Sequence, residues 1–195
     1  MASGTNCERS DFLEHVEKCK LFAVGECPPT GTRPIVSIRA LRTYLTTDRL
    51  RKLLLYVGCS PSHEHAIRER YLAVFSILLS IDRGPYIRNF VQHDQLADER
   101  LPFLTRDELP EVCKVLFVEF YDAQWKFCAK RLVHDRLNDT RLHEHTVVPF
   151  KRKEKLKEGV DSTIFKVELF EEHNHLFPVG KLSARAYDHV YVASG

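Results

Sequence analysis

Residues 156–167, LKEGVDSTIFKV, carry the most specific chemical spacing in the chain. A backbone that covers the phosphates of a nucleotide needs glycine, so that its N–H groups can approach without a Cβ in the way. It also needs an apolar β-branched residue after the turn to pack on the base. Gly159 stands in the turn, Leu156 precedes it and Ile164 follows it in that register. Lys157 and Ser162 occupy the outer positions where further glycines would serve, and Asp161 sets a carboxylate where a phosphate would sit, which costs affinity through like-charge repulsion. Taken alone, one glycine in a hairpin reads as a turn.

Other clusters point to less. Ten histidines include HEH at His63–His65, HEH at His143–His145 and EEHNH at Glu171–His175. None has the H-E-x-x-H spacing that puts two imidazoles on one helix face, so they read as solvated loop histidines; His173 and His175 share a strand face and would chelate only weakly. No G-x-S-x-G elbow occurs, and Cys113 and Cys128 fall on an apolar helix where a thiol acts as a small hydrophobe. Pro149–Lys157, PFKRKEKLK, is basic but lacks the interleaved aromatics of a single-strand binder. Its lysines suit a solvated sheet edge.

The elements that must position these residues follow from composition and periodicity. The chain has 195 residues, 44% hydrophobic and 29% charged, with a formal net charge of +2, which gives no strong field toward nucleic acid or membrane. Six cysteines without a C-x-x-C pair, no secretory signal and no apolar run of membrane-crossing length imply a soluble, reduced, intracellular protein of the cytoplasm or nucleus.

Residues 1–34 show no sustained period and end in CPPTGTRP. They read as a flexible N-terminal arm, with at most a turn or two of helix at Phe12, Val16, Cys19 and Lys20. From Ile35 the pattern is helical: Ile38, Leu41 and Leu45, then Leu50, Leu53, Leu54 and Val57 after a Thr47 or Asp48 cap and closed by Gly58, then one stripe from Ile67 to Leu79. A shorter helix holds Ile87, Phe90 and Val91. The segment from Glu111 to Lys130 is apolar on several sides, with Val112, Val115, Leu116, Phe120, Ala123 and Phe127 on its main stripe, and is expected at the centre of a bundle. Beyond residue 140 the chain turns β-rich at TVVPF, STIFKVELF, LFPVGKL and DHVYVAS, with Phe165, Val167 and Leu169 on one strand face. The expected fold is α+β: a helical domain over 35–140 and a small incomplete antiparallel sheet over 141–195, its apolar face covered by the bundle or poorly ordered.

Four segments in this order, IRALRTYLTTDRLRKLLLYVG, FSILLSIDRGPYIRNFVQHDQLADERLPF, FYDAQWKFCAKRL and VVPFKRKEKLKEGVDSTIFKVEL, resemble a fungal protein-kinase-like family, a helical region followed by the start of a protein kinase N-lobe. The most specific part is the spacing of Phe90, Val91, His93, Asp94, Asp98, Leu101, Pro102 and Phe103, with QWKF at Gln124–Phe127. The resemblance implies that Leu156, Gly159 and Ile164 cover ATP and that a lysine on the next strand holds its phosphates. Here FPVGKL puts Gly180 at the lysine position and Lys181 one residue later, where it reaches the nucleotide only across a bulge. The catalytic-loop and D-F-G motifs that hold Mg are absent, and HDRLND at His134–Asp139 has its letters in another order and precedes the hairpin.

The expectation is a protein-kinase-like chain, truncated and catalytically incompetent as given, whose helical region is a regulatory or docking module for a protein partner. ATP with Mg is expected only if a full kinase domain is present. The alternatives are the N-terminal part of an active serine/threonine kinase and a nucleic-acid binder acting through the basic run.

Overall fold

A computed structural model describes residues 5–24, 32–133, 142–158, 163–175 and 189–192. The chain divides into two units, one comprising Met1–Leu21 with Val36–Cys128 and the other Phe22–Ile35 with Ala129–Gly195. The class is mixed α+β. No described helix is long and apolar enough to cross a membrane.

The first unit holds seven helices among the described residues: α1 (Thr5–Lys18), α2 (Ile38–Tyr44), α3 (Thr47–Tyr56), α4 (Glu64–Arg70), α5 (Leu72–Ser80), α6 (Ile87–Phe90) and α7 (Phe117–Gln124), linked by 3-10 turns. Short polar residues start α2 and α3. Ser37 Oγ accepts the Ala40 N–H at 3.0 Å, and Thr46 Oγ1 accepts the Arg49 N–H at 3.5 Å, so the α3 cap is one residue earlier than the expected Thr47. The helix ends where Gly58, at φ +67°, lets its own N–H reach Leu55 O at 3.1 Å and the Cys59 N–H reach Leu54 O at 2.8 Å, a left-handed closure that glycine adopts without strain.

The centre of this unit is α5, not the segment from Glu111 onward. Every residue from Leu72 to Leu79 is buried. The expected single stripe from Ile67 to Leu79 breaks at Tyr71, whose φ of −130° ends α4, and a new axis then begins. The Glu111–Lys130 segment differs because it opens in 3-10 winding over Glu111–Leu116 before becoming α7. A period of three sends Cys113 and Leu116 inward and leaves Val112 and Val115 outward, whereas the expected stripe assumed 3.6 residues per turn from Val112. Its inner residues are Cys113, Leu116, Phe120, Gln124 and Phe127, and Phe120 joins Phe90 and Phe103 in an aromatic cluster with ring centroids 5.7–6.4 Å apart.

The flexible-arm expectation is corrected over its described part. Residues 5–18 form α1, with Phe12 and Val16 fully buried in the same core as α5. Two inward residues four apart are too few to register as a period, yet they suffice once a prebuilt core receives them.

In the second unit β4 (Phe150–Glu158), β5 (Thr163–Leu169) and β7 (His189–Val192) form an antiparallel sheet in the order β4-β5-β7. β3 (Leu132–Val133) pairs parallel with β6 (Asn174–His175). β1 (Lys20–Val24) pairs with β2 (Thr32–Val36), the ribbon in which the chain leaves and re-enters the helical unit. The unit boundary thus falls at Cys128/Ala129 rather than near residue 140, and part of the expected arm belongs to the β-rich unit. TVVPF is not a strand before Phe150, but Val147 and Val148 are buried. The face of Val167 and Leu169 is covered from within its own unit, by Leu132, Val148 and Phe150 with Val24 and Phe165 at the margin. LFPVGKL lies outside the described residues.

Candidate functional site

Of the expected nucleotide residues, Leu156 and Ile164 fall on the β4–β5 strand pair. Its strands run in register from Phe150↔Leu169 to Glu158↔Thr163, with Lys155 opposite Phe165 and Lys157 opposite Ile164. Two steps on β4 against one on β5 make Leu156 the extra residue of a bulge, and it is 51% exposed. Ile164 pairs on both sides, with Lys157 and with Tyr191 of β7, so its backbone sits mid-sheet. Gly159, Asp161, Ser162, Gly180 and Lys181 lie outside the described residues. Of the four nucleotide candidates, Leu156 alone has a described side chain. An open bulge residue supplies no floor for a base.

The basic run takes the form expected of a sheet edge. β4 is terminal in the order β4-β5-β7, and Lys151, Arg152, Lys155 and Lys157 are exposed. Lys151 pairs with Glu168 across the ladder, and Lys153 lies over the Phe165 ring, 4.0 Å from its centroid. Both use a cation to cover or balance the sheet's own residues.

Among the described residues no group of three or more His, Cys, Asp or Glu side chains could hold an ion. The rings of His143 and His145 lie 5.4 Å apart in an exposed turn, and His173 is buried with Nε2 3.5 Å from Glu172 Oε1. Burial pushes the Cys113 thiol up to about 11 and pushes the Cys128 thiol well above its ordinary range. Neither supplies a nucleophile at neutral pH.

The residues that carried the resemblance in the helical region hold the fold. α5 has no polar side chain to cap its own first turn; Asp98, from 25 residues away, does so, its two carboxylate oxygens accepting the Ala73 and Val74 N–H groups at 2.9 Å each. Burial is the leading cause that raises this carboxyl from 3.8 to about 6, opposed by those same backbone bonds. The other end of α5 is closed by Arg9 of α1, which donates to Leu79 O at 2.9 Å and Ser80 O at 3.4 Å and lies 3.3 Å from Asp82. Asp94 pairs with Arg70 at 2.6 Å. Gln124 clasps the Phe103 backbone, accepting its N–H and donating to its carbonyl, both at 2.9 Å. A cleft of about 430 Å³ borders Arg9, Tyr56, Leu79 and Asp82, but the Arg9 guanidinium is already spent on the helix end.

The helical unit also leaves some large apolar side chains outward. Val112, Val115 and Val118 are 55%, 75% and 70% exposed at a spacing of three, a ridge along the outer side of the 3-10 segment and the start of α7. Tyr121 and Trp125, half-buried, continue the same segment in an edge-to-face pair with centroids 5.4 Å apart.

Sequence reasoning passed over one pair with chemical potential, His15 and Cys19, whose Nε2 and Sγ lie 2.9 Å apart. The H-x-x-x-C spacing was the signal, legible only once residues 5–18 are known to be helical. No family model, curated protein or solved structure matches the chain.

Proposed function

We propose that this chain is a protein-interaction module related to the fungal protein-kinase-like family, without phosphoryl-transfer activity of its own, in which the helical unit is the docking part. The observation that carries this reading is the Val112, Val115 and Val118 ridge, three large apolar side chains in a row on a unit whose other features serve packing. Asp98, Gln124, Arg9, Cys113 and Cys128 are all committed to the interior or to helix ends. The kinase relationship rests on the segments quoted above. The module acts inside the cell, in cytoplasm or nucleus, in keeping with reduced thiols at Cys19, Cys59, Cys113 and Cys128.

A photo-crosslinking residue installed at Val115 in cells tests the docking surface. A discrete adduct that weakens with Val112→Ser and Val118→Ser supports the reading. An adduct pattern no different from one placed at exposed Arg106 removes it.

The antiparallel pairing of β4 and β5, in register up to Glu158↔Thr163, favours a second reading: the N-terminal part of an active serine/threonine kinase with Mg-ATP against Leu156, Gly159, Ile164 and Lys181. Thermal denaturation in millimolar Mg-ATP separates the two. Ligand at about 100 times its Kd adds roughly 2.7 kcal/mol, so a saturable rise in Tm with phosphate transfer to a peptide selects the kinase, and a flat Tm the module. Salt-dependent binding of arbitrary DNA, lost on replacing the exposed lysines of β4, would instead select a nucleic-acid binder.

A further inference from the structure

His15 and Cys19 stand one helical turn apart at the end of α1, and the Cys19 N–H still bonds His15 O at 2.9 Å, so the turn that joins them is intact. Nε2 of the imidazole is 2.9 Å from Sγ. The ring is held from two further directions. It stacks on Tyr44 with centroids 3.9 Å apart and planes 12° from parallel, and a hydrogen bond with the Ala40 backbone engages it. Arg49 lies over the same Tyr44 ring, 4.3 Å from its centroid. A nucleophile within hydrogen-bond reach of a base that is itself oriented by a third group is the arrangement that activates a thiol. Cys19 and Cys128 are partly exposed, whereas Cys59 and Cys113 are buried; of the first two, Cys128 is the one whose thiol burial holds well above its ordinary range.

We propose that Cys19 is a thiol-modification site with His15 as its general base, and that the molecules it takes are low-molecular-weight disulfides. Nε2 accepts the Sγ proton as sulfur attacks one sulfur of the disulfide. The new S–S bond forms as the old one breaks, and the departing thiolate recovers the proton from the imidazolium and leaves as a thiol. One mixed disulfide forms on Cys19 and one thiol is released, so the incoming disulfide is the only oxidant.

The surrounding charges suit a base that acts during attack. Burial lowers the His15 pKa from its ordinary value, Arg49 of α3 and Lys18 of α1 act in the same direction, and the Ala40 bond opposes them. The ring is therefore unprotonated at neutral pH and open to a proton. The C-terminal end of α1 opposes a standing thiolate, which assigns deprotonation to the moment of attack rather than to a resting ion pair. Tyr44 stays neutral, since burial raises its pKa.

The test uses the full chain with oxidised glutathione as probe, acid quenching and peptide mapping of each cysteine. Cys19 is expected to react first, at pH 7 about fivefold or more faster than a cysteine in an unstructured peptide. Its rate should fall as pH drops through the imidazole titration, rather than tracking only an ordinary thiol near about 8.5. His15→Phe, which keeps the stacked ring and removes the base, should bring Cys19 down to the peptide rate with the Tm held; His15→Gln should do the same. A peptide-like rate in the wild-type chain, or a rate unchanged by both substitutions, overturns the proposal. If neither variant folds, the wild-type pH profile decides, and a single inflection at the ordinary thiol value overturns it.

Discussion

Asp98→Asn isolates the energetics of capping a buried helix from a distance. The Asp98 carboxyl is raised from 3.8 to about 6, with burial as the leading cause and the Ala73 and Val74 N–H groups pulling the other way. Because the folded state holds this proton more tightly than the unfolded chain does, the contribution to stability is complete below pH 3.8 and is lost as pH rises through 6. At 1.36 kcal/mol per unit, that shift of about two units is worth about 3 kcal/mol.

Asparagine has the shape of the protonated side chain and does not titrate. Its NH2 group cannot accept, so it leaves one of the Ala73 and Val74 N–H groups unpaired: the variant should trail by about 1–3 kcal/mol at pH 4 and gain up to about 3 kcal/mol on wild type between pH 4 and pH 7. Urea unfolding followed by the helical circular dichroism band, repeated across that range for both proteins, gives the difference directly, since every other titrating group cancels. A difference that stays flat, or one that favours wild type increasingly as pH rises, would show that the two amide bonds and the helix dipole outweigh burial and would refute the reasoning. Asp98→Ala strands both amides and should cost about 2–4 kcal/mol even at pH 4.

Three further outcomes follow from the same packing. Gln124→Ala removes both bonds to the Phe103 backbone inside the core and should cost about 2–4 kcal/mol by urea midpoint, with less than about 1 kcal/mol showing the clasp to be incidental. Gly84→Ala would put a Cβ 2.4 Å from Val57 Cγ1 and 3.3 Å from Leu79 Cδ2. A loss of about 1–3 kcal/mol is expected, and Val57→Ala should recover part of it, so a strictly additive double-mutant cycle would locate the strain elsewhere. Phe12→Ala should cost about 3–5 kcal/mol if α1 is part of the core, and would leave the midpoint unmoved if residues 5–18 were an arm.

Local chemistry made much of this architecture legible from the residues alone. Ser, Thr and Gly at helix ends act on their immediate neighbours, which is why the Gly58 closure of α3 falls where expected, whereas α2 starts at Ile38 behind the Ser37 cap rather than at Ile35, which lies in β2. Period-two alternation over 163–169 likewise places β5, because side chains on a strand alternate faces whatever lies beyond it. The candidate site was less legible. The LKEGVDSTIFKV register identified a hairpin, but whether Leu156 faces a pocket depends on a bulge that only the pairing with β5 creates.

The sequence by itself determined the class and most of the buried leucines, because each depends on residues a few positions apart. The tertiary structure alone decided that α1 packs into the core, that α5 rather than the 111–130 segment is central, and that Asp98 and Arg9 close its two ends from 25 and 70 residues away. It also decided that Val112, Val115 and Val118 face outward and that His15 meets Cys19 beside Tyr44. The reason is physical: an unpaired amide or a half-covered phenyl ring takes whichever partner the fold delivers. Spacing along the chain carries no record of a partner that arrives from a distance.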